Sequence, residues 1–122
     1  MIYIFDVDGT LTKSRNKMDL SFAQFFYDFI EHNRVWLISG SDKDKTIEQV
    51  GGTIWHKVER AYQCSGNQLF QNGKLIKENE FELPIQAKVC LEAFLEESKY
   101  PHRYGNHIEE RPGMVNFSVV GR

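Results

Sequence analysis

Asp6 and Asp8 stand one residue apart in the opening string Met1-Ile2-Tyr3-Ile4-Phe5-Asp6-Val7-Asp8-Gly9-Thr10-Leu11-Thr12, directly behind a run of β-forming residues. Two carboxylates this close repel each other, and partial burial raises the cost of ionising both. A divalent cation bound by oxygen relieves the repulsion, and Mg²⁺ suits one or two carboxylates together with a substrate phosphate. The chemistry such a pair supports is phosphoryl transfer. One carboxylate attacks phosphorus to form an aspartyl-phosphate, and the other gives or takes the proton of a sugar or water oxygen. An Asp-Gly step alone is ordinary turn chemistry at a solvated strand end. The complete string from Asp6 to Thr12, placed straight after a β-run, is far more specific.

The elements around this pair decide where it is presented. The apolar run ending at Phe5, closed by a turn signal, predicts a strand buried on both faces at the centre of a parallel sheet. The aspartates then lie at its carboxyl end, where open α/β sheets hold their ligands. Val35-Trp36-Leu37-Ile38 predicts a second buried strand, ending in Ser39-Gly40-Ser41-Asp42. Asp42 caps a helix from Lys43 to about Val50, which Gly51-Gly52 stop. Strand, small-residue turn and helix N-terminus make a natural phosphate seat, although plain capping by Ser41 or Asp42 accounts for the same residues.

Between these strands, Asp19 or Ser21 caps a helix whose Phe22, Phe25, Phe26, Phe29 and Ile30 recur at helical spacing and predict a core-facing stripe. Trp55 to Ile76 reads as strand, turn and hairpin, with Asn72-Gly73 as the two-residue turn and Lys74 and Lys77 on a solvated face. The charged stretch from Lys77 to Glu82 carries no apolar pattern and marks a boundary, dividing the chain into 1–79 and 80–122. Beyond it, Pro84 opens a helix with Ile85, Val89, Leu91 or Ala93, and Phe94 as its apolar face, ended by Tyr100-Pro101. Pro112-Gly113 is a turn, and Met114 to Val120 alternates as a half-buried strand. His32 reads as a surface residue in the last turn of its helix and His56 as a structural residue, neither as a ligand.

Bulk properties narrow the function classes. The chain has 122 residues, 41% hydrophobic and 26% charged, the composition of an ordinary globular protein. A net charge of −2 and a pI near 6.1 give no electrostatic case for nucleic acid or an anionic membrane. No apolar run approaches the roughly 20 residues that span a bilayer. Met1 leads straight into the first strand, leaving no room for a secretory signal. Cys64 and Cys90 lack metal-ligand spacing and sit in apolar surroundings. They read as buried free thiols in a reducing compartment, so the cytoplasm is the expected location.

The string from Asp6 to Thr12 resembles motif I of the haloacid dehalogenase-like phosphotransferases. That resemblance implies Asp6 as nucleophile, Asp8 as general acid/base, and Mg²⁺ held at both, with Asp8 contributing its backbone carbonyl. It also implies that the turn after Ile38 is motif II, whose hydroxyl bonds the transferring phosphoryl group. Ser39 is the first choice because it follows the strand immediately, and Ser41 is the alternative.

A second string narrows the family. Gly105-Asn106-His107-Ile108-Glu109-Glu110-Arg111, then Gly113-Met114, Asn116, Ser118 and Gly121-Arg122, is similar to the cap-domain signature of eukaryotic-type phosphomannomutases. Arg15 after motif I, Gly40-Ser41-Asp42 and Asn72-Gly73-Lys74-Leu75 match at corresponding places. The resemblance implies a haloacid dehalogenase-like (Rossmann-like) parallel-sheet core over 1–79, incomplete, followed by part of an α+β cap over 80–122. It implies interconversion of mannose 6-phosphate and mannose 1-phosphate, with Arg15, Arg111 and Arg122 binding the phosphosugar substrate. Arginine suits the role because its fork grips a phosphate dianion with paired hydrogen bonds. For Arg111 the residues alone favour a surface pair with Glu109 or Glu110.

The family pattern continues past the equivalent of Arg122 with another arginine, a serine/aspartate contact, a lysine that steadies the aspartyl-phosphate, and further acidic Mg²⁺ ligands. The Asn-Gly pair expected after the third strand is replaced by Ser65-Gly66-Asn67-Gln68. Three expectations follow: a fragment, a fold completed by a homo-oligomer or another chain, or reduced catalysis. Beside the mutase stand a Mg²⁺-dependent sugar-phosphate phosphatase, with water as acceptor, and a non-catalytic sugar-phosphate-binding or partner-binding remnant.

Overall fold

A computed structural model describes every residue from Met1 to Arg122. The chain divides into two compact units, Met1–Asn79 and Glu80–Arg122.

The first unit is a five-stranded sheet in the order β1-β2-β3-β4-β5. β1 (Ile2–Asp6), β2 (Arg34–Ile38) and β3 (Arg60–Gln63) run parallel, while β4 (Gln68–Gln71) and β5 (Lys74–Glu78) return antiparallel. Register aligns Phe5 with Leu37, Leu37 with Ala61 and Ala61 with Phe70, so these four share one face. Helices α1 (Leu20–His32), α2 (Lys43–Val50) and α3 (Gly52–Lys57) pack there, burying Phe26, Ile30, Val50, Ile54 and Trp55. The rings of Phe5 and Phe26 meet edge-on at 5.4 Å, and those of Trp55 and Phe70 at 5.2 Å.

The opposite face is open. Ile4 and Ile38 are 59% and 45% exposed, and β1 is an edge strand rather than the buried centre expected from its composition. A continuous apolar run reports that a strand has two apolar faces. It does not report what covers them. Across this open face Trp36 and Tyr62 lie 5.9 Å apart, and Glu59 accepts hydrogen bonds from the indole of Trp36 and the guanidinium of Arg34.

Local signals set the element ends. The Asp19 side chain accepts from the amides of Ser21 and Phe22 at 3.0 and 3.3 Å, capping α1. Asp42 caps α2 through the Lys45 amide at 2.9 Å, and Gly51, at φ 86°, closes it by donating to the Ile47 carbonyl. Asn72 and Gly73, at φ 47° and 82°, supply the paired left-handed residues of the β4–β5 hairpin.

Three further expectations change. Trp55 lies in the short helix α3 and not in a strand; the following strand begins at Arg60. In α1 the core takes Phe26 and Ile30, with Phe29 half-buried, whereas Phe25 is 64% exposed. Five apolar positions make a stripe wider than the sheet edge beneath it. Cys64 is buried, but Cys90 is exposed.

The second unit contains α4 (Ile85–Glu97) and the antiparallel hairpin β6 (Ile108–Arg111) and β7 (Met114–Phe117). The half-buried side of α4 is Ala87, Leu91 and Leu95, while Ile85, Val89 and Phe94 are exposed, contrary to the predicted face. β7 is shorter than the predicted strand because the chain bends after Phe117, and the Ser118 amide donates to the carbonyl of His107. Backbones 104–106 and 120–122 then run close together: a Cβ on Gly105 would lie 2.0 Å from the Arg122 carbonyl oxygen. Arg103 gathers carbonyls at the end of α4, donating to Leu95 and Ser98 at 3.1 and 3.0 Å.

Candidate active site

The site is organised by a residue that does no chemistry. Val7 is fully buried between Asp6 and Asp8, and its carbonyl accepts from the amides of Thr10, Leu11 and Thr12 at 3.2, 3.0 and 3.2 Å. Gly9 permits the winding at φ 81°. Leu11 and Thr12 are buried as well, so the turn is anchored in the core while both carboxylates reach solvent.

The two aspartates are held differently. Asp6 Oδ2 accepts from the Thr10 hydroxyl at 3.2 Å. Asp8 Oδ1 accepts from the Arg15 amide at 2.5 Å and from Gln49 Nε2 at 2.9 Å, and its Oδ2 accepts from the Ser14 hydroxyl at 3.3 Å. The Arg15 amide, followed by the Gln49 amide, holds the Asp8 carboxyl below its ordinary range, against a smaller opposing effect of desolvation. Asp8 therefore rests as an anion.

Arg15 enters the site through its backbone, in the left-handed conformation at φ 58°, and its side chain is exposed. An open groove of about 1010 Å³ follows the turn, with Lys13 and Lys17 giving its wall positive charge; Asp6 and Asp8 do not line it. Ser39 is 4% exposed, and its hydroxyl oxygen accepts the Ser41 amide at 3.0 Å. Ser41 is half-buried. The loop after β3 is tied to these serines, since the amides of Cys64 and Ser65 donate to the carbonyls of Ser41 and Ser39 at 2.9 and 3.1 Å. Cys64, Ser65 and Gly66 are all left-handed, at φ 51°, 56° and 87°. This is the backbone taken by the substituted Ser65-Gly66-Asn67.

Arg111 and Arg122 belong to the second unit. Arg111 is half-buried and pairs with Glu109 at 3.3 Å. Arg122 is exposed, and its backbone exchanges two 2.9 Å hydrogen bonds with Asn106.

For a divalent cation this chain offers the Asp6–Asp8 pair, and it has no cluster of three or more His, Cys, Asp or Glu side chains. Mg²⁺ completes its shell with phosphate oxygens and waters, so a pair of acidic residues fits it. The Asp8 carboxylate is turned toward its N–H donors, whereas the exposed Asp6 carboxylate accepts only the Thr10 hydroxyl and is the side chain that could hold such a cation.

Gln49 is a site residue that the motifs do not reveal. It is 4% exposed and lies 41 positions from Asp8 along the chain. A faint signal was available: Thr46, Gln49 and Val50 sit at i, i+3, i+4 spacing on the buried side of α2, an unusual place for two polar residues.

The family model for eukaryotic phosphomannomutase matches residues 22–122. The phosphomannomutase of Encephalitozoon cuniculi is 31% identical over 127 residues, covering 99% of this chain and 50% of that protein. Human phosphomannomutase 1 is 28% identical over 131 residues, covering 100% and 50%. The chain thus spans about half the length of the curated relatives it matches. Among solved structures, a haloacid dehalogenase-like hydrolase from Bacteroides thetaiotaomicron superposes with a TM-score of 0.60 at 17% identity, over 78% of this chain and 38% of that one. A HAD subclass IIB sugar phosphatase gives 0.56 at 15% identity, over 93% and 42%. These likenesses establish the fold as a partial haloacid dehalogenase-like α/β domain. By the family match across residues 22–122, the chain belongs to the eukaryotic phosphomannomutase family.

Proposed function

We propose that this chain carries the phosphoryl-accepting site of a phosphomannomutase, which interconverts mannose 6-phosphate and mannose 1-phosphate. The observation that carries the reading is the Val7-anchored turn, which presents Asp6 and Asp8 at the carboxyl end of a parallel strand in a chain of this family. Asp6 takes the phosphoryl group from a sugar bisphosphate or sugar phosphate, and Asp8 exchanges the proton of the sugar oxygen. Asp6 and the backbone carbonyl of Asp8 would hold Mg²⁺, which when bound would supply positive charge to offset that of the transferring phosphoryl group. Of the two motif II hydroxyls, Ser41 is the one that donates to the phosphoryl group, a reading supported by its half-buried side chain where that of Ser39 is buried. Arg15, Arg111 and Arg122 serve as phosphosugar ligands.

The open sheet face and the β1 edge are covered in the working enzyme by further polypeptide, from a second copy or another chain. The exposure of Ile4 and Ile38 beside an unpaired strand edge supports this. No helix is long and apolar enough to cross a membrane. Neither Cys64 nor Cys90 is joined in a disulfide, which accords with a reducing, cytoplasmic setting.

The test incubates the chain with mannose 1-phosphate, Mg²⁺ and a bisphosphate activator. Mannose 6-phosphate is the expected product, and its formation is lost in Asp6→Asn. Free mannose and phosphate as sole products would replace the mutase with a phosphatase.

A further inference from the structure

We propose that Gln49 is a positioning residue for Asp8, the link that fixes the acid/base carboxylate to the packed scaffold. The proposal rests on the reading of Asp8 as the acid/base group.

A carboxylate that must take a proton from a sugar hydroxyl needs one lobe held still and the other aimed outward. Three donors meet Asp8, and two of them, the Arg15 amide and the Ser14 hydroxyl, belong to the same exposed loop as Asp8. They move when that loop moves. Gln49 comes instead from the last turn of α2, where it is buried beside Thr46 and Val50. Its amide nitrogen donates both to Asp8 Oδ1 at 2.9 Å and to the Thr12 hydroxyl at 3.3 Å. Its main-chain carbonyl accepts the Met18 amide at 2.7 Å. One residue thus clamps the acid/base loop at its start, its turn and its far end.

The clamp leaves a polar atom unsatisfied. Gln49 Oε1 is buried with no hydrogen-bond partner. An unsatisfied buried acceptor is destabilising, and a methionine of similar length would fill the space without it. A polar group kept at a site where an apolar one packs better has a role beyond packing. Its location says which role. With two N–H donors on Oδ1, Oδ2 is the oxygen that carries the exchanging proton.

Comparing two half-steps tests this. When phosphoryl passes from phospho-Asp6 to a hydroxyl of mannose 1-phosphate, the Asp6–P bond breaks as the sugar O–P bond forms, and the anionic Asp8 carboxylate takes the hydroxyl proton. When Asp6 is loaded from acetyl phosphate, the Asp6–P bond forms as acetate leaves as an anion, and no proton moves. In the full chain, Gln49→Met is therefore expected to slow transfer to mannose 1-phosphate about tenfold more than loading from acetyl phosphate, acting on kcat rather than KM. Equal losses in both steps, or no loss in either, would overturn the proposal. A parent chain that neither takes phosphoryl from acetyl phosphate nor passes it to mannose 1-phosphate would refute the function proposed above instead. The link itself is then read by NMR. The side-chain amide protons of Gln49 are expected to exchange slowly and to shift in Asp8→Ala, and unmoved resonances overturn the proposal independently of turnover.

Discussion

Replacing Thr46 with valine tests whether α2 is locked to the sheet by a single buried hydrogen bond. Thr46 and Gln63 are both fully buried, and the Thr46 hydroxyl donates to Gln63 Oε1 at 2.8 Å. Valine keeps the shape and removes the donor, stranding Oε1 in the core beside an amide nitrogen that already lacks a partner. A newly unsatisfied buried acceptor costs about 1–3 kcal/mol. Gln63→Leu should cost less, because it removes the unpaired nitrogen as well. The Thr46 hydroxyl it leaves behind can donate to the carbonyl of Asp42, one turn back in the helix. The double variant should then be more stable than Thr46→Val alone.

Urea unfolding followed by tryptophan fluorescence reads this cleanly, since Trp36 and Trp55 both lie in the Met1–Asn79 unit. With a slope of about 1–2 kcal/mol per molar, Thr46→Val should lower the midpoint by roughly 0.5–3 M. A parent-like midpoint, or a double variant that loses the sum of the two single effects, would refute the reasoning.

Further outcomes are expected. Phe26→Ala, which removes a ring stacked between Phe22 and Phe29, should cost about 3–5 kcal/mol in the same assay. The Trp36 indole, then Arg34, hold the Glu59 carboxyl below its ordinary value. Its contribution to stability is therefore complete above about pH 4.3, the unfolded value, and is lost as pH falls through the lower folded value. Glu59→Gln should flatten that acid limb in circular dichroism. Gly73→Ala puts a side chain at φ 82° and 2.6 Å from the His56 ring, and should lower the melting temperature by the equivalent of about 1–2 kcal/mol. Asp6→Asn should abolish phosphoryl uptake while unfolding within about 0.5 kcal/mol of the parent, because the side chain is exposed.

Features that depend on neighbouring residues were readable from the chain. The aspartate turn, the Asp19 and Asp42 caps and the Asn72-Gly73 hairpin each follow from backbone chemistry within a few positions. Features set by distant partners were not. Ile2-Tyr3-Ile4-Phe5 is the same string whether β1 is central or at an edge, and the answer lies in which strands flank it. Helix α3 is six residues long, and its Thr53, Ile54 and Trp55 all favour strands, so tertiary packing overrides local preference there. Gln49 reaches Asp8 only after α2 has docked, and no local pattern encodes that meeting.

The burial of Val7 between two exposed aspartates has a consequence for how this chain can change. Anchorage and reactivity are divided between alternate residues of one strand end, so selection can act on them separately. The Asp6 carboxylate can be retuned or lost with little effect on folding, whereas a polar residue at position 7 would disturb the core before any chemistry was altered. A turn built this way can outlast the reaction it once served, and a folded but silent descendant lies only one substitution away.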